Sequence, residues 1–163
     1  MTTESETLAG DPGTVRLAAS HRAAIDLGRA IEALANLDWL GVAKANPSPT
    51  GEGHRVTTLL ALEVADGSSA GPIRKSALVD IGPVNPTDAA ISLDVGWQSD
   101  SIAPLFPVFA GRLEISPDGL FLEGRYAPPF GRLGLLIDER ILHFIARRTA
   151  EAFLARLATR MAA

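Results

Sequence analysis

The last third of the sequence runs from a short strand-like segment into one long amphipathic helix. Leu120 to Tyr126 is followed by the corner Ala127-Pro128-Pro129, and the helical pattern then continues to Met161. Proline lacks a backbone donor and disfavours a helical residue before it, so the corner separates the two elements. A single terminal helix of that length must bury its apolar side on a broad surface. The rest of the chain is therefore expected to supply a sheet.

The middle of the chain has the alternation of apolar residues that is typical of strands. The segment from Ala89 to Trp97 shows it most clearly, because Asp94 falls on one face and the other face carries only large apolar residues. Those residues are Ile91, Leu93, Val95 and Trp97. One face of this strand is predicted to be buried.

The same pattern predicts six strands in all, at residues 14–17, 56–64, 73–81, 89–97, 108–115 and 120–126. Ser116-Pro117-Asp118-Gly119 has the residues of a tight turn between the last two strands. Links this short exclude parallel crossovers, which need about a dozen residues. The sequence thus predicts an α+β domain with an antiparallel sheet of about six strands.

The first third of the chain is predicted to contain a tail, a strand and a helix. Residues 1–13 are polar and acidic, which is typical of a disordered tail and unlike an export signal. Ser20 is a helix-capping residue, and apolar residues then recur at spacings near three and four up to Asn36. These residues are Ile25, Leu27, Ile31, Leu34 and Leu37. We expect one domain over residues 14–163, with an additional helix after the first strand.

Composition excludes several classes of function. The 163 residues carry a net charge of −4 and have a pI near 5.3, which argues against nucleic-acid binding because phosphate neutralisation needs clustered Lys and Arg. Cysteine is absent, so disulfides and thiolate chemistry are excluded and a cytoplasmic location is expected. No run of about 18 apolar residues occurs, so no membrane span is expected.

The sequence contains no recognisable catalytic or metal-binding motif. His21, His54 and His143 are widely separated and lack the spacing of a metal site. The glycines near the proline corner do not follow a strand with the spacing of a phosphate loop, and no hydrolase elbow is present. No cofactor and no metal are expected.

The long helix has small residues at the centre of its buried face. A helical wheel places seven residues on that face: Leu135, Leu142, Ala146, Thr149, Ala150, Phe153 and Leu157. Small residues at the centre have two interpretations, close packing of the helix on the sheet or a gap left for a ligand. The apolar arc is also wide, which predicts cover from the sheet and from either the earlier helix or a partner in a homodimer.

The C-terminal stretch from Gly111 to Ala158 carries a family resemblance. Its segments GRLEI, LFLEGRYAPPFGRLGLLID and HFIARRTAEAFLARLA look like the C-terminal portion of bacterial members of the START-like helix-grip superfamily, the polyketide cyclase and lipid transport proteins (SRPBCC). The resemblance implies a helix-grip fold, in which a curved antiparallel sheet wraps on the long C-terminal helix. It also implies a cavity between helix and sheet that accepts a small hydrophobic or amphipathic molecule.

The resemblance makes a set of apolar residues possible cavity walls, and each of them is equally interpretable as ordinary core. The set is Leu93, Val95, Trp97, Phe109, Leu113, Leu122 and Tyr126 on the sheet, opposite Ala146, Ala150 and Phe153 on the helix. Trp97 and Tyr126 are favoured because each has a polar tip that a buried site must satisfy. Phe106 lies in an apolar loop that is interpreted either as a lid over the cavity or as packing against the helix.

Three functions follow as hypotheses. The first is binding or carriage of a small hydrophobic molecule without catalysis. The second is an enzyme of the polyketide cyclase or dehydratase kind, in which Tyr126 or Asp80 orients or deprotonates the bound molecule. An inward-facing Asp80 would need a partner such as Arg74 or a ligand. The third is a protein-interaction module that uses an exposed apolar flank of the long helix.

Overall fold

The computed structural model describes residues 13–36, 45–47, 53–62, 73–99, 108–127 and 139–163. The elements are β1 (Val15–Arg22), α1 (Leu27–Asn36), β2 (Ala45–Pro47), β3 (His54–Leu62), β4 (Ile73–Ile81), β5 (Asn85–Pro86), β6 (Ile91–Ser99), β7 (Val108–Ser116), β8 (Gly119–Ala127) and α2 (Glu139–Met161). Some predictions fall outside these ranges, namely those for Leu37, Phe106, Leu135 and residues 1–12 of the tail.

The predicted α+β architecture is confirmed. The strands form one antiparallel sheet in the order β1-β8-β7-β6-β4-β3-β2, and β5 pairs with β6 outside this path. The sheet has eight strands instead of about six, because β2 and β5 pair as short strands outside the six predicted ones. Both contain a proline, Pro47 or Pro86, and a proline is tolerated in short and edge strands.

The predicted start of the first helix was wrong. Ser20 does not cap a helix but lies in β1, which pairs with β8 from Val15 opposite Tyr126 to Arg22 opposite Gly119. The helix begins later, at Leu27, where the Asp26 carboxylate accepts a hydrogen bond of 3.0 Å from the backbone N–H of Arg29. An eight-residue ladder with β8 outweighs the local capping preference of one serine.

The predicted β7–β8 hairpin is confirmed. Its register runs from Ser116 opposite Gly119 to Val108 opposite Ala127. Gly119 has a φ of 150°, a value that side chains disfavour and that glycine accepts. Four residues of this hairpin that were predicted as possible cavity walls are buried, Phe109, Leu113, Leu122 and Tyr126, and so are Ile115 and Leu120.

The sheet curves around α2. The helix backbone approaches β1 and β8 on one side and β3 on the other, although four strands separate β1 from β3 in the sheet. Five strand spacings of about 4.8 Å would place β1 and β3 about 24 Å apart in a flat sheet. A helix on a flat sheet would also lie against the strands between them, whereas β4, β6 and β7 have fewer backbone contacts with α2. The sheet is therefore concave towards the helix.

The C-terminal end of α2 is held by backbone hydrogen bonds. The carbonyl of Met161 accepts from the N–H of Asp26 at 3.1 Å, and the N–H of Ala163 donates to Ala24 at 3.1 Å. The carbonyl of Ala162 accepts from the Arg29 guanidinium at 2.9 Å. These bonds connect the end of α2 to α1 and to the segment that precedes it, so this end of α2 is held in place. Cover of α2 by the sheet and the earlier helix is confirmed.

Candidate functional site

One row of side chains crosses the concave face of the sheet. Val79 lies opposite Trp97, Trp97 opposite Phe109 and Phe109 opposite Tyr126. All four side chains point to the same face because they pair directly across neighbouring antiparallel strands. Each is 2% exposed or less. The row therefore lies in the interior that the sheet shares with α2.

Three aromatic side chains, Trp97, Phe109 and Phe153, form an aromatic cluster between the sheet and α2. The rings of Trp97 and Phe109 stack with centroids 4.2 Å apart and planes inclined by 22°. Phe153 of α2 meets Trp97 in a tilted arrangement, with centroids 5.5 Å apart. Large rings fit here because α2 stands closer to β1, β3 and β8 than to the central strands. The cluster is buried between the sheet and the helix.

Two glycines under the Phe109 ring make room for this cluster. Gly111 on β7 and Gly124 on β8 face each other directly in the register. A Cβ atom built on Gly111 would lie 2.6 Å from Cζ of Phe109, and one built on Gly124 would lie 2.8 Å from it. The sequence prediction missed this pair. The sequence did contain a signal for it. Both glycines are the same number of residues from the turn that joins their strands, so they are expected to pair.

The indole N–H of Trp97 has no hydrogen-bond acceptor in the part of the chain that the structure describes. Trp97 is 2% exposed, and its Nε1 is buried from solvent. Indole nitrogen is a donor only, and native proteins pair nearly all buried donors. Leaving such a group unpaired costs about 1–3 kcal/mol. An unpaired donor within an aromatic cluster is the most unusual polar feature of the interior.

Tyr126 connects the end of the row to α2. Its hydroxyl oxygen lies 3.4 Å from Nδ1 of His143, and the two ring centroids are 6.1 Å apart. Tyr126 is buried, whereas His143 is exposed. The contact itself could not be predicted, because it depends on how α2 docks against β8. Together the two side chains place a polar group at the edge of an apolar interior.

Asp80 does not belong to this interior. Its neighbours on β4, Val79 and Ile81, are buried, so Asp80 faces the opposite side of the sheet. There its two oxygens accept hydrogen bonds from Nε and Nη2 of Arg55, both at 2.7 Å. Arg55 lies directly opposite Asp80 in the register. The interpretation of Asp80 as an inward carboxylate paired with a residue such as Arg74 was wrong, because strand alternation turns Asp80 outwards.

The residues predicted as cavity walls are all buried wherever the structure describes them. These are Leu93, Val95, Trp97, Phe109, Leu113, Leu122, Tyr126, Ala146, Ala150 and Phe153. Burial is equally compatible with a packed core, so their role as cavity walls stays a prediction. At the small-residue centre of α2, the hydroxyl of Thr149 donates to the carbonyl of Ile145 at 2.8 Å. Its proton is therefore used within the helix.

The described ranges contain neither a metal-binding cluster nor a membrane-spanning helix. No group of three or more His, Cys, Asp or Glu residues lies close enough to hold a metal ion in that part of the chain. None of the helices described is long and apolar enough to cross a membrane.

Comparisons with known proteins leave the family undetermined. No family model and no curated protein matches this chain. Among solved structures, the chain is similar to the crystal structure of a hypothetical protein from Helicobacter pylori. The two share 7% sequence identity and a TM-score of 0.46, over 91% of this chain and 86% of that chain. A likeness of this size carries no argument about function.

Proposed function

We propose that this protein binds a small hydrophobic or amphipathic molecule between α2 and the central strands β6 and β7, and carries it unchanged. The observation that carries the proposal is the spacing of α2 from the concave sheet. The helix approaches the flanking strands more extensively than the centre, and the aromatic cluster lies between the helix and the central strands. This is also the region in which the START-like resemblance predicts a cavity.

The buried residues are mostly apolar, which suits a ligand with few polar groups. Apart from Trp97 and Tyr126, the buried polar residues are Thr14, Thr58 and Thr149 among the residues whose burial the structure describes. Removing apolar surface from water stabilises a complex by about 25 cal/mol per Å². Tyr126 adds one polar group at the edge of the interior, where an amphipathic molecule could place its polar end.

The proposal predicts a retained molecule and saturable binding of an apolar dye. Protein purified gently from its host should carry a small molecule that native mass spectrometry detects and heating releases. The stripped protein should bind the neutral dye N-phenyl-1-naphthylamine at a saturable site, with enhanced and blue-shifted emission. A folded protein that retains no molecule and gives no saturable dye signal would contradict the proposal.

Filling the space should remove dye binding. Ala150 is fully buried at the small-residue centre of α2, whereas Ala152 on the same helix is only half-buried. Ala150→Leu is expected to weaken dye binding by about tenfold or more, equivalent to about 1.4 kcal/mol. The matched Ala152→Leu variant should bind the dye nearly as wild type does.

Circular dichroism is used to verify that both helix variants fold, and Ala146→Val provides a smaller change on the buried face if Ala150→Leu does not. Undiminished dye binding by folded variants altered at Ala150 or Ala146 would place the bound dye elsewhere and contradict the proposed site.

A second candidate function is an enzyme, and the Tyr126–His143 contact favours it. A phenol beside an imidazole at 3.4 Å is a pair that could donate or accept a proton at a bound molecule. A metabolite extract incubated with this enzyme should lose one species and gain another, as measured by mass spectrometry. Tyr126→Phe, verified to be folded, should abolish that change. An extract left unaltered by the wild-type protein would exclude this candidate for the metabolites it contains.

A further inference from the structure

We infer that the bound molecule is uncharged and accepts a hydrogen bond from the indole N–H of Trp97. The inference rests on the proposed function and specifies the chemistry of its ligand. It assigns to Trp97 the role of the polar contact inside the aromatic cluster.

The indole N–H of Trp97 fixes the direction of the hydrogen bond to the ligand. Nε1 of Trp97 is buried and has no acceptor in the described ranges, and indole nitrogen cannot itself accept. The group that completes this site must therefore supply an oxygen or nitrogen lone pair. A hydrocarbon would leave the donor unpaired, whereas a carbonyl or ether oxygen would satisfy it.

The surroundings of Trp97 favour a ligand without charge. Among the residues whose burial the structure describes, each buried one is apolar or an uncharged polar residue. A buried charge without a partner is strongly disfavoured. A carboxylate or phosphate placed beside Trp97 would gain one hydrogen bond and no counter-charge from these buried residues. An uncharged acceptor avoids this cost.

The neighbours of Trp97 favour a ligand with a flat ring. Trp97 contacts Phe109 in a stack and Phe153 at a tilt, so the donor belongs to a side chain whose neighbours are flat rings. Ring-bearing ligands make favourable stacked or edge-to-face contacts with such neighbours. The ligand class that combines these three properties is a neutral ring compound with a carbonyl oxygen.

The test compares fluorene with 9-fluorenone, which have the same ring framework and differ in one carbonyl oxygen. Displacement of N-phenyl-1-naphthylamine is measured for both probes. Wild-type protein is expected to bind 9-fluorenone about tenfold more tightly than fluorene, equivalent to about 1.4 kcal/mol. Trp97→Phe retains an aromatic ring but removes the donor, so it should reduce that ratio to about one while fluorene binding changes little.

A spectroscopic measurement on the wild-type protein covers the case in which the Trp97 variant does not fold. The chain has two tryptophans, Trp39 and Trp97, so Trp39→Phe identifies their indole signals in a ¹⁵N-labelled sample. Addition of 9-fluorenone should shift the Trp97 Nε1 proton downfield more than fluorene does.

Each remaining outcome has a distinct meaning. If the dye binds but the two probes bind equally, or if their ratio survives in Trp97→Phe, the inference is overturned and the proposed function stands. If neither the dye nor either probe binds, the proposed function and the inference both fail.

Discussion

Replacing Phe109 with alanine is expected to lower the free energy of unfolding by about 4 kcal/mol, the usual cost of deleting a fully buried phenylalanine. Phe109 is 2% exposed, and its ring stacks on Trp97. The glycines below the ring have no side chains that could close the resulting cavity. Urea denaturation followed by circular dichroism measures the loss as a decrease in the midpoint at constant slope.

Phe121→Ala is the matched control for this prediction. Phe121 is on the same hairpin, but its side chain lies on the outer face of β8 and is 42% exposed. Its removal should cost about 1 kcal/mol or less, as expected for an exposed strand position. Equal losses in the two variants would show that the Phe109 ring is not packed as described.

Replacing Gly111 with alanine should destabilise the fold by about 3 kcal/mol, near the upper end of the usual cost of overpacking. A Cβ atom there would overlap the carbonyl oxygen of Glu123 and lie 2.8 Å from Cα of Gly124. Both obstacles belong to the backbone of β8, so no rotation of a side chain relieves them. Only a displacement of the two strands would accommodate the methyl group.

The control for Gly111 adds two methyl groups elsewhere in the same sheet. Ala18 lies on the exposed outer face of β1, the strand next to β8. Ala18→Val should leave the free energy of unfolding within about 0.5 kcal/mol of wild type. The Phe109→Ala/Gly111→Ala double variant separates the two contacts. Removal of the ring leaves the overlap with the Glu123 carbonyl, so the double variant should remain less stable than Phe109→Ala alone. A double variant as stable as Phe109→Ala would identify the ring, and not the neighbouring strand, as the obstacle.

Local patterns predicted the elements whose signals lie within a few residues. Alternation in Ala89 to Trp97 identified the buried face of β6, and Pro117 with Gly119 identified the β7–β8 turn. The error at Ser20 has the opposite cause. A capping serine is a local signal, whereas the ladder that incorporates it into β1 comes from β8, about a hundred residues later.

The predictions for the candidate site also succeeded where the signal was local and failed where it was long-range. Burial of Trp97 and Tyr126 followed from their positions on alternating strands. Asp80 was assigned to the wrong face because the sequence does not show which set of alternating residues of β4 packs in the core. Arg55 was missed because its pairing with Asp80 depends on the register of β3 with β4. The homodimer and the cytoplasmic location remain predictions, to be measured by solution mass and by localisation in the host.

By itself, the sequence determined the α+β class, the antiparallel pairing of neighbouring strands and the long terminal helix, because period, turn residues and short links act locally. Only the tertiary structure decided that β1 closes against β8, that the sheet curves around α2, and that Trp97 is left with a buried, unpaired donor. These features depend on contacts between segments far apart in the chain, where the geometry of packing, and not the preference of any single segment, sets the outcome.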